Sequence, residues 1–234
     1  MDRKVAYWLL VRLPFWFVVT SILLVAALKW VPVRYTPLML KRSIQFGWLD
    51  GCHAVRTWVP LEDISPEVVS AAIAAEDARF LEHSGFDWEE VGQMLGAHRS
   101  SGKPLRGCST ISQQTAKNVF TFSTRTIARK AVETYWTVLI EAIWGKRRIM
   151  EVYLNVVETG RGLYGVEAAA RHYFGTGADA LSRRQAVSLA VCLPRPLQTD
   201  PLNMPSDIRQ RYLKIMSYES RNNTLIPPTN LLAH

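Results

Sequence analysis

From Leu13 to Leu28 the chain reads LPFWFVVTSILLVAAL, sixteen positions without a charge. Apolar character continues through residues 5–10 before it and residues 30–33 after it, interrupted by Arg12 and Lys29. Both cations can extend toward a headgroup region while their stems lie on apolar surface. Roughly 20 apolar residues let a helix cross the hydrocarbon layer, so this segment predicts a transmembrane helix. Trp8, Trp16, Trp30 and Tyr35 are candidate interface anchors. A cleaved signal sequence fits less well. The apolar run exceeds a usual signal core, and Lys-Trp-Val-Pro-Val-Arg at residues 29–34 lacks a small-residue cleavage site. Cations flank the span on both sides, so charge does not orient it.

Beyond residue 60 the pattern turns to helical spacing. Ser65-Pro66-Glu67 reads as an N-cap, a proline at the first helical position and an acid in the first turn, opening a helix through about Ala78. Asp87 with Glu90, and Ser182 with Gln185, have the spacing of capping boxes. Residues 129–144 hold a long helical pattern without proline or glycine. Ile149, Val152, Tyr153 and Val156 recur on one helical face. Pro194 and Pro196 end an apolar run reaching Leu193, and Ser206 can cap a last helix through about Ser217. Alternating strand patterns are few. The expectation is an essentially all-α single domain with one N-terminal transmembrane helix: residues 1–33 carry the span, 34–60 a connector, and 61–234 the domain.

Composition narrows the partners. The 234 residues suffice for one core-forming domain, and the apolar fraction of 48% excludes a disordered chain. A formal net charge of +8 suggests an anionic partner: nucleic acid, an acidic membrane surface or a phosphate-bearing substrate. The chain lacks an interleaved basic and aromatic binding pattern, which disfavours nucleic acid. Cys52, Cys108 and Cys192 match no zinc spacing, and three is a poor number for a disulfide framework. Charge is segregated. Residues 61–90 contain nine acids and one base, Arg79; residues 103–133 contain six bases and one acid, Glu133. Such runs suit a solvated face, and equally a site that sets a catalytic carboxylate beside a bound phosphate.

Three segments hold candidate chemistry. In the first, residues 76–85, Glu76 follows Ala71, Ala72, Ala74 and Ala75. A carboxylate with apolar neighbours can titrate near neutral pH and act as a general base; equally, Arg79 can hold it as a helix-terminal ion pair. The second, residues 107–118, offers Ser109, Thr110, Gln113 and Gln114 for sugar or phosphate oxygens and Lys117 as a point charge. A hydrated surface helix would use the same residues. The third contains Arg125, Arg129, Lys130 and Glu133, where Arg129 and Glu133 have the spacing of an ordinary helical ion pair.

In order along the chain, EDxRFxxHxGFD (76–87), GxSTISQQxxKN (107–118), RKxxE (129–133), KRRIxxxYLN (146–155) and GVEAAARHYF (165–174) resemble the motifs of glycosyltransferase family 51, the peptidoglycan glycosyltransferases. The resemblance runs from about residue 58 to residue 196. No transpeptidase-type stretch follows it, so it is to the monofunctional members rather than to two-domain penicillin-binding proteins. Cys108 stands where alanine or glycine is common, and Gln185 where glutamate is usual. The resemblance implies a lysozyme-like helical fold, anchored in the inner membrane by one span, with its catalytic domain in the periplasm. It implies lipid II and a growing glycan strand as substrates, a divalent cation such as magnesium, and other cell-wall synthesis and division proteins as partners.

By motif match, Glu76 and Glu133 are the catalytic carboxylates. Asp77, Arg79, Phe80, Ser109, Thr110, Gln113, Gln114, Lys117, Asn118, Arg125, Arg129 and Lys130 are the substrate-binding residues. Glu76 would take the proton of an acceptor 4-hydroxyl, which would attack the donor anomeric carbon with inversion and release undecaprenyl pyrophosphate. The residues agree with this chemistry. Cleaving a sugar–sugar bond needs a proton for a poor leaving oxygen, whereas a pyrophosphate leaves as a stable anion and needs fixed positive charge. The alternative is a membrane-anchored lysozyme-like lytic enzyme, which would not need the cations between Lys117 and Lys130.

Overall fold

The computed structural model describes residues 7–46, 55–102, 107–122, 126–222 and 231. Among them are ten α-helices and one two-stranded sheet, so the expectation of a mostly helical chain holds. A short π-helical turn, Trp8–Arg12, leads into α1, Leu13–Leu28. Residues Leu10–Leu28 form one helix long and apolar enough to cross a membrane. At 1.5 Å per residue such a helix extends about 29 Å, close to the thickness of a hydrocarbon core.

The C-terminal half of α1 is fastened to the rest of the molecule, while Phe15, Trp16, Leu23 and most of its other large apolar side chains remain exposed. Ser21 and Tyr135 share a short hydroxyl–hydroxyl hydrogen bond. The Trp144 indole N–H donates to Val25 O at 2.7 Å. The Arg148 guanidinium donates to Leu28 O at 2.8 Å and Val31 O at 2.6 Å. The carbonyls of Val25 and Leu28 are among those that the end of a helix leaves without intrahelical partners.

Part of the presumed connector is helical: α2 spans Pro37–Phe46, with Thr36 Oγ1 accepting from the Met39 amide at 3.2 Å and Leu38 and Met39 buried. α3, Pro66–Glu76, starts where the Ser-Pro-Glu signal places it, but Ser65 spends its hydroxyl on Leu181 O at 2.9 Å instead of on its own helix. The helix stops two residues short of Ala78, because Asp77 leaves helical geometry (φ −162°, ψ 77°) to serve partners elsewhere. α4, Trp88–Ser101, is capped by Asp87, whose Oδ1 accepts from the Glu90 amide at 2.8 Å. Next come α5, Ile111–Phe120; α6, Ile127–Ile143; and α7, Gly145–Val156.

α7 is the central helix: Ile149, Met150, Val152, Tyr153, Leu154 and Val156 are fully buried. α5 packs on both α6 and α7. The strands β1, Glu158–Gly160, and β2, Leu163–Tyr164, form a small antiparallel hairpin. Gly165 follows at φ 80°, where a Cβ would come within 2.7 Å of Asn155 O, so a side chain is excluded by both backbone and space. α8, Val166–Phe174, and α9, Arg183–Cys192, follow, and Gln185 Oε1 accepts from the Ser182 amide at 2.9 Å as the capping spacing predicts. α10, Ser206–Asn222, runs five residues beyond the predicted Ser217. α9 packs against α3 and α10, which brings the end of the chain to the C-terminus of α3.

Candidate active site

Small alanines let α3 pack closely on α9, with Val68, Val69, Ala71 and Ala72 buried. That packing carries Glu76, at the last turn of α3, into a nearly closed position: its side chain is 8% exposed. Oε2 accepts from Gln114 Nε2 on α5 at 2.9 Å, and Oε1 from Arg211 Nη2 on α10 at 3.2 Å. Arg211 also donates to Ala75 O. Burial raises the Glu76 pKa, and the hydrogen bond from Gln114 and the charge of Arg211 pull it partly back. Arg79 does not hold Glu76; it is spent on Glu82 at 2.7 Å, on Glu89, and on Asp87 at 3.5 Å.

Asp77 is the keystone of the neighbouring turn. Its Oδ1 lies 2.9 Å from His83 Nε2, and its Oδ2 accepts the backbone N–H of Ile111 at 2.9 Å. Ile111 opens α5, so this carboxylate satisfies one of the free amides at that helix's N-terminus and complements its dipole. Thr110 and Gln113 complete the cap reciprocally: Thr110 Oγ1 accepts from the Gln113 amide at 3.1 Å, and Gln113 Oε1 from the Thr110 amide at 3.1 Å. The Thr110 hydroxyl then donates to Gly85 O at 2.7 Å. Gly85 has φ 90°, and a Cβ there would meet Thr137 Cγ2 at 2.8 Å.

Along α5, Gln114 faces Glu76 and Lys117 follows at i+3, the next position on the same side of the helix. Burial lowers the Lys117 pKa; Glu133 raises it, Arg129 and Lys130 lower it, and Glu76 raises it. Lys117 is therefore within electrostatic reach of both carboxylates. On α6, Glu133 is 3% exposed and accepts from Arg129 Nη1 and from Lys130 Nζ, each at 2.5 Å. This is not the exposed pair that the i,i+4 spacing alone suggests.

Of the residues singled out in the sequence, the structure gathers Glu76, Gln114, Lys117, Arg129, Lys130 and Glu133 into one region. Ser109 lies exposed ahead of α5, and Asn118 is buried on it. Thr110, Gln113 and Asp77 are committed to holding the backbone. Phe80 is fully buried, with Lys146 Nζ 4.6 Å from its ring centre. Arg125 lies outside the described residues. The later motifs are architectural: Asn155 bonds both the N–H and C=O of Val59 at 2.8 Å, and Glu167 accepts from the Ala178 amide at 2.6 Å.

Sequence reasoning missed Arg211 and read Tyr153 only as part of the buried face of α7. Arg211 is 135 residues from Glu76. Its only local signal is position: it shares a helical face with Ile208, which is buried, and Ile215, and an arginine there needs an internal partner. Tyr153 is fully buried, its hydroxyl is without a hydrogen-bond partner among the described residues, and Glu76 and Asp77 raise its already burial-raised pKa.

Asp77, His83 and Asp87 place three potential ligand atoms within 4.8 Å of one another, a grouping that could hold a metal ion. It does not suit magnesium, which wants six oxygen ligands in octahedral order. One donor here is an imidazole, both Asp77 oxygens already accept hydrogen bonds, and Arg79 Nη1 lies 3.5 Å from Asp87.

Residues 45–218 match the family model described as Transglycosylase. The chain belongs to the transglycosylase family. Three relatives, each named biosynthetic peptidoglycan transglycosylase, agree. The protein of Ectopseudomonas mendocina (strain ymp) is 50% identical over 188 residues, 80% of this chain and 77% of its own length. That of Pseudomonas aeruginosa is 46% identical over 198 residues, 84% of each chain. That of Caulobacter vibrioides is 46% identical over 187 residues, 80% of this chain and 79% of its own. This transglycosylase is a peptidoglycan glycosyltransferase, and its apolar α1 is consistent with a membrane anchor.

Proposed function

We propose that this transglycosylase polymerises lipid II into β-1,4-linked glycan with inversion, releasing undecaprenyl pyrophosphate on the periplasmic side of the inner membrane. The observation that carries the reading is that α5 bonds Glu76 through Gln114 and carries, one turn on, the partly buried Lys117, whose proton affinity responds to both Glu76 and the Arg129–Lys130–Glu133 group. Glu76 is the general base. Two hydrogen bonds to its oxygens favour the ionised form, while burial keeps its proton affinity high. It removes the proton of the acceptor 4-hydroxyl as that oxygen attacks the donor anomeric carbon. The bond to the pyrophosphate oxygen breaks, and its electron pair leaves with the lipid pyrophosphate.

Lys117, Arg129 and Lys130 stabilise the leaving anion. Three cations answer two protein carboxylates, Glu133 and Glu76, so net positive charge remains for the ligand. Glu133 holds Arg129 and Lys130 in place. Both of its oxygens are occupied by cations and both of Asp77's by hydrogen bonds, so neither offers a free acid to protonate a glycosidic oxygen. The magnesium implied by the resemblance enters no step.

Incubation of the full chain with labelled lipid II tests the reading. Long glycan is the expected product. Shortening of preformed glycan without growth from lipid II would reassign the enzyme as lytic. Lys117→Ala should lower polymerisation about 100-fold, by loss of a charge aimed at the leaving group; an unchanged rate would move the pyrophosphate elsewhere.

A further inference from the structure

Just past the end of α1, Pro32, Arg34, Tyr35, Met39, Arg56 and Trp58 line a cavity of about 420 Å³. Two chain segments form it, and the Arg56 guanidinium joins them by donating to Val33 O. Arg34 is exposed, and among the described residues neither arginine has a carboxylate partner. The acids nearby are already engaged: Glu158 with Arg42 at 2.9 Å and Glu151 with Arg148 at 2.9 Å. Both arginines line the one cavity; burial lowers the Arg56 pKa, Tyr35 draws it back up and Arg34 lowers it. Two arginines lining one cavity, with no carboxylate partner among the described residues, make a site that gains by taking an anion. Their planar forks suit phosphate oxygens.

Position narrows the anion. Pro32 is four residues beyond Leu28, where the span ends. Trp30 is 75% exposed and Tyr35 is 87% exposed, as aromatic side chains at a bilayer interface are. Arg148 holds Leu28 O and Val31 O, and its guanidinium lies 5.1 Å from the Trp58 ring centre. The cavity is thereby tied to the end of α1. Its volume exceeds that of a phosphate and is of the size that takes a small organic headgroup. No residue lining it belongs to the Glu76–Lys117 group.

We propose that this cavity binds the phosphate of an anionic glycerophospholipid headgroup, with Arg34 and Arg56 as its donors. The proposal rests on reading α1 as a membrane anchor. The occupied site fixes the height of the domain over the bilayer from which a lipid-linked substrate must be drawn. Free phosphate shares the recognising chemistry and differs in lacking the acyl chains that keep a headgroup at this depth.

The test uses the full chain purified in detergent, with lipid retention read by native mass spectrometry. Wild type should retain one phosphatidylglycerol at about tenfold lower concentration than Arg34→Gln/Arg56→Gln, a difference in line with the loss of charge-assisted phosphate bonds. Arg34→Gln alone, at an exposed side chain with no carboxylate partner among the described residues, should give a partial loss in a folded protein. Arg99→Gln, a charge removed from exposed α4, should retain lipid like wild type. Displacement of phosphatidylglycerol by millimolar inorganic phosphate assigns the site to free phosphate; resistance to it assigns the site to lipid. Equal retention by wild type and both variants, or equal retention of phosphatidylcholine and phosphatidylglycerol, overturns the proposal. Flotation with neutral phosphatidylcholine vesicles judges the anchor separately. Wild type and variants should all float; a wild type that stays behind removes the lipid source, and binding of inorganic phosphate then decides the cavity.

Discussion

Glu76 and Glu133 are the same residue type, each on a helix, each nearly closed to solvent at 8% and 3% side-chain exposure. Their partners separate them. Glu133 lies between two cations of its own helix, three and four residues away. Glu76 faces a neutral amide from α5 and one guanidinium from α10, and burial prevails over both in setting its proton affinity. One carboxylate is locked in an ion cluster. The other is held in place yet able to take up a proton. A buried acid becomes a base when its surroundings leave its charge incompletely compensated.

The largest effect should come from removing that distinction. Glu76→Gln should reduce polymerisation by at least about 100-fold, the lower end of what a positioned base contributes, in a protein that folds. The stability readout has a defined sign. A carboxyl whose folded pKa is raised favours folding below its unfolded pKa and loses that contribution as pH rises through the folded value. The melting temperature of Glu76→Gln should therefore gain on wild type as pH is raised through and above the ordinary glutamate range. A difference that shrinks with rising pH would contradict the raised proton affinity.

Glu133→Gln attacks the other member. Arg129 and Lys130 lose the acceptor that orders them, so polymerisation should fall about 10- to 100-fold. Stability should fall by about 1–3 kcal/mol, less than for a fully buried pair because Lys130 is 46% exposed. Steady-state kinetics and chemical denaturation check both. A variant with wild-type kinetics would leave Glu133 as a structural ion pair only.

Arg211→Gln sharpens the comparison without removing either acid. Arg211 lowers the Glu76 pKa, so its loss should raise that pKa further and shift the acidic limb of the pH–rate profile upward. Activity should fall several-fold at mildly acid pH and recover as pH increases. A uniform loss at every pH would instead mark damage to the α3–α10 contact. The smallest effect is expected from Tyr153→Phe. Its buried hydroxyl has no partner among the described residues, so removal should leave the melting temperature unchanged or slightly raised.

How legible each feature was depended on how local its cause is. The span, the start of α3, the Asp87 cap and the buried face of α7 rest on neighbours within a few residues, and all were readable from spacing. The segregated charge of residues 61–90 and 103–133 left a solvated face and a site equally open; in the structure Glu76 and Lys117 are the members of the two runs that influence each other's proton affinity. The charge pattern could not say which acid would remain able to accept a proton. Asp77 and Gln113, which motif matching assigned to substrate, work as caps of α5, because the amides they satisfy appear only when the 76–87 turn meets the start of that helix. The helix in residues 37–46 was missed within a stretch read as a connector; its apolar face is covered by α5, a partner far along the chain.

The sequence by itself determined most of the helical elements, the apolar span, the ordered motifs and the supply of charge, since each depends on composition or on spacing within a turn or two. The tertiary structure decided how each carboxylate is surrounded, and so which one has its proton affinity raised by burial. Proton affinity depends on lost solvent and on donors that arrive from 38 and 135 residues away, and neither the closing of α3 against α9 nor the approach of Arg211 is written in any local pattern.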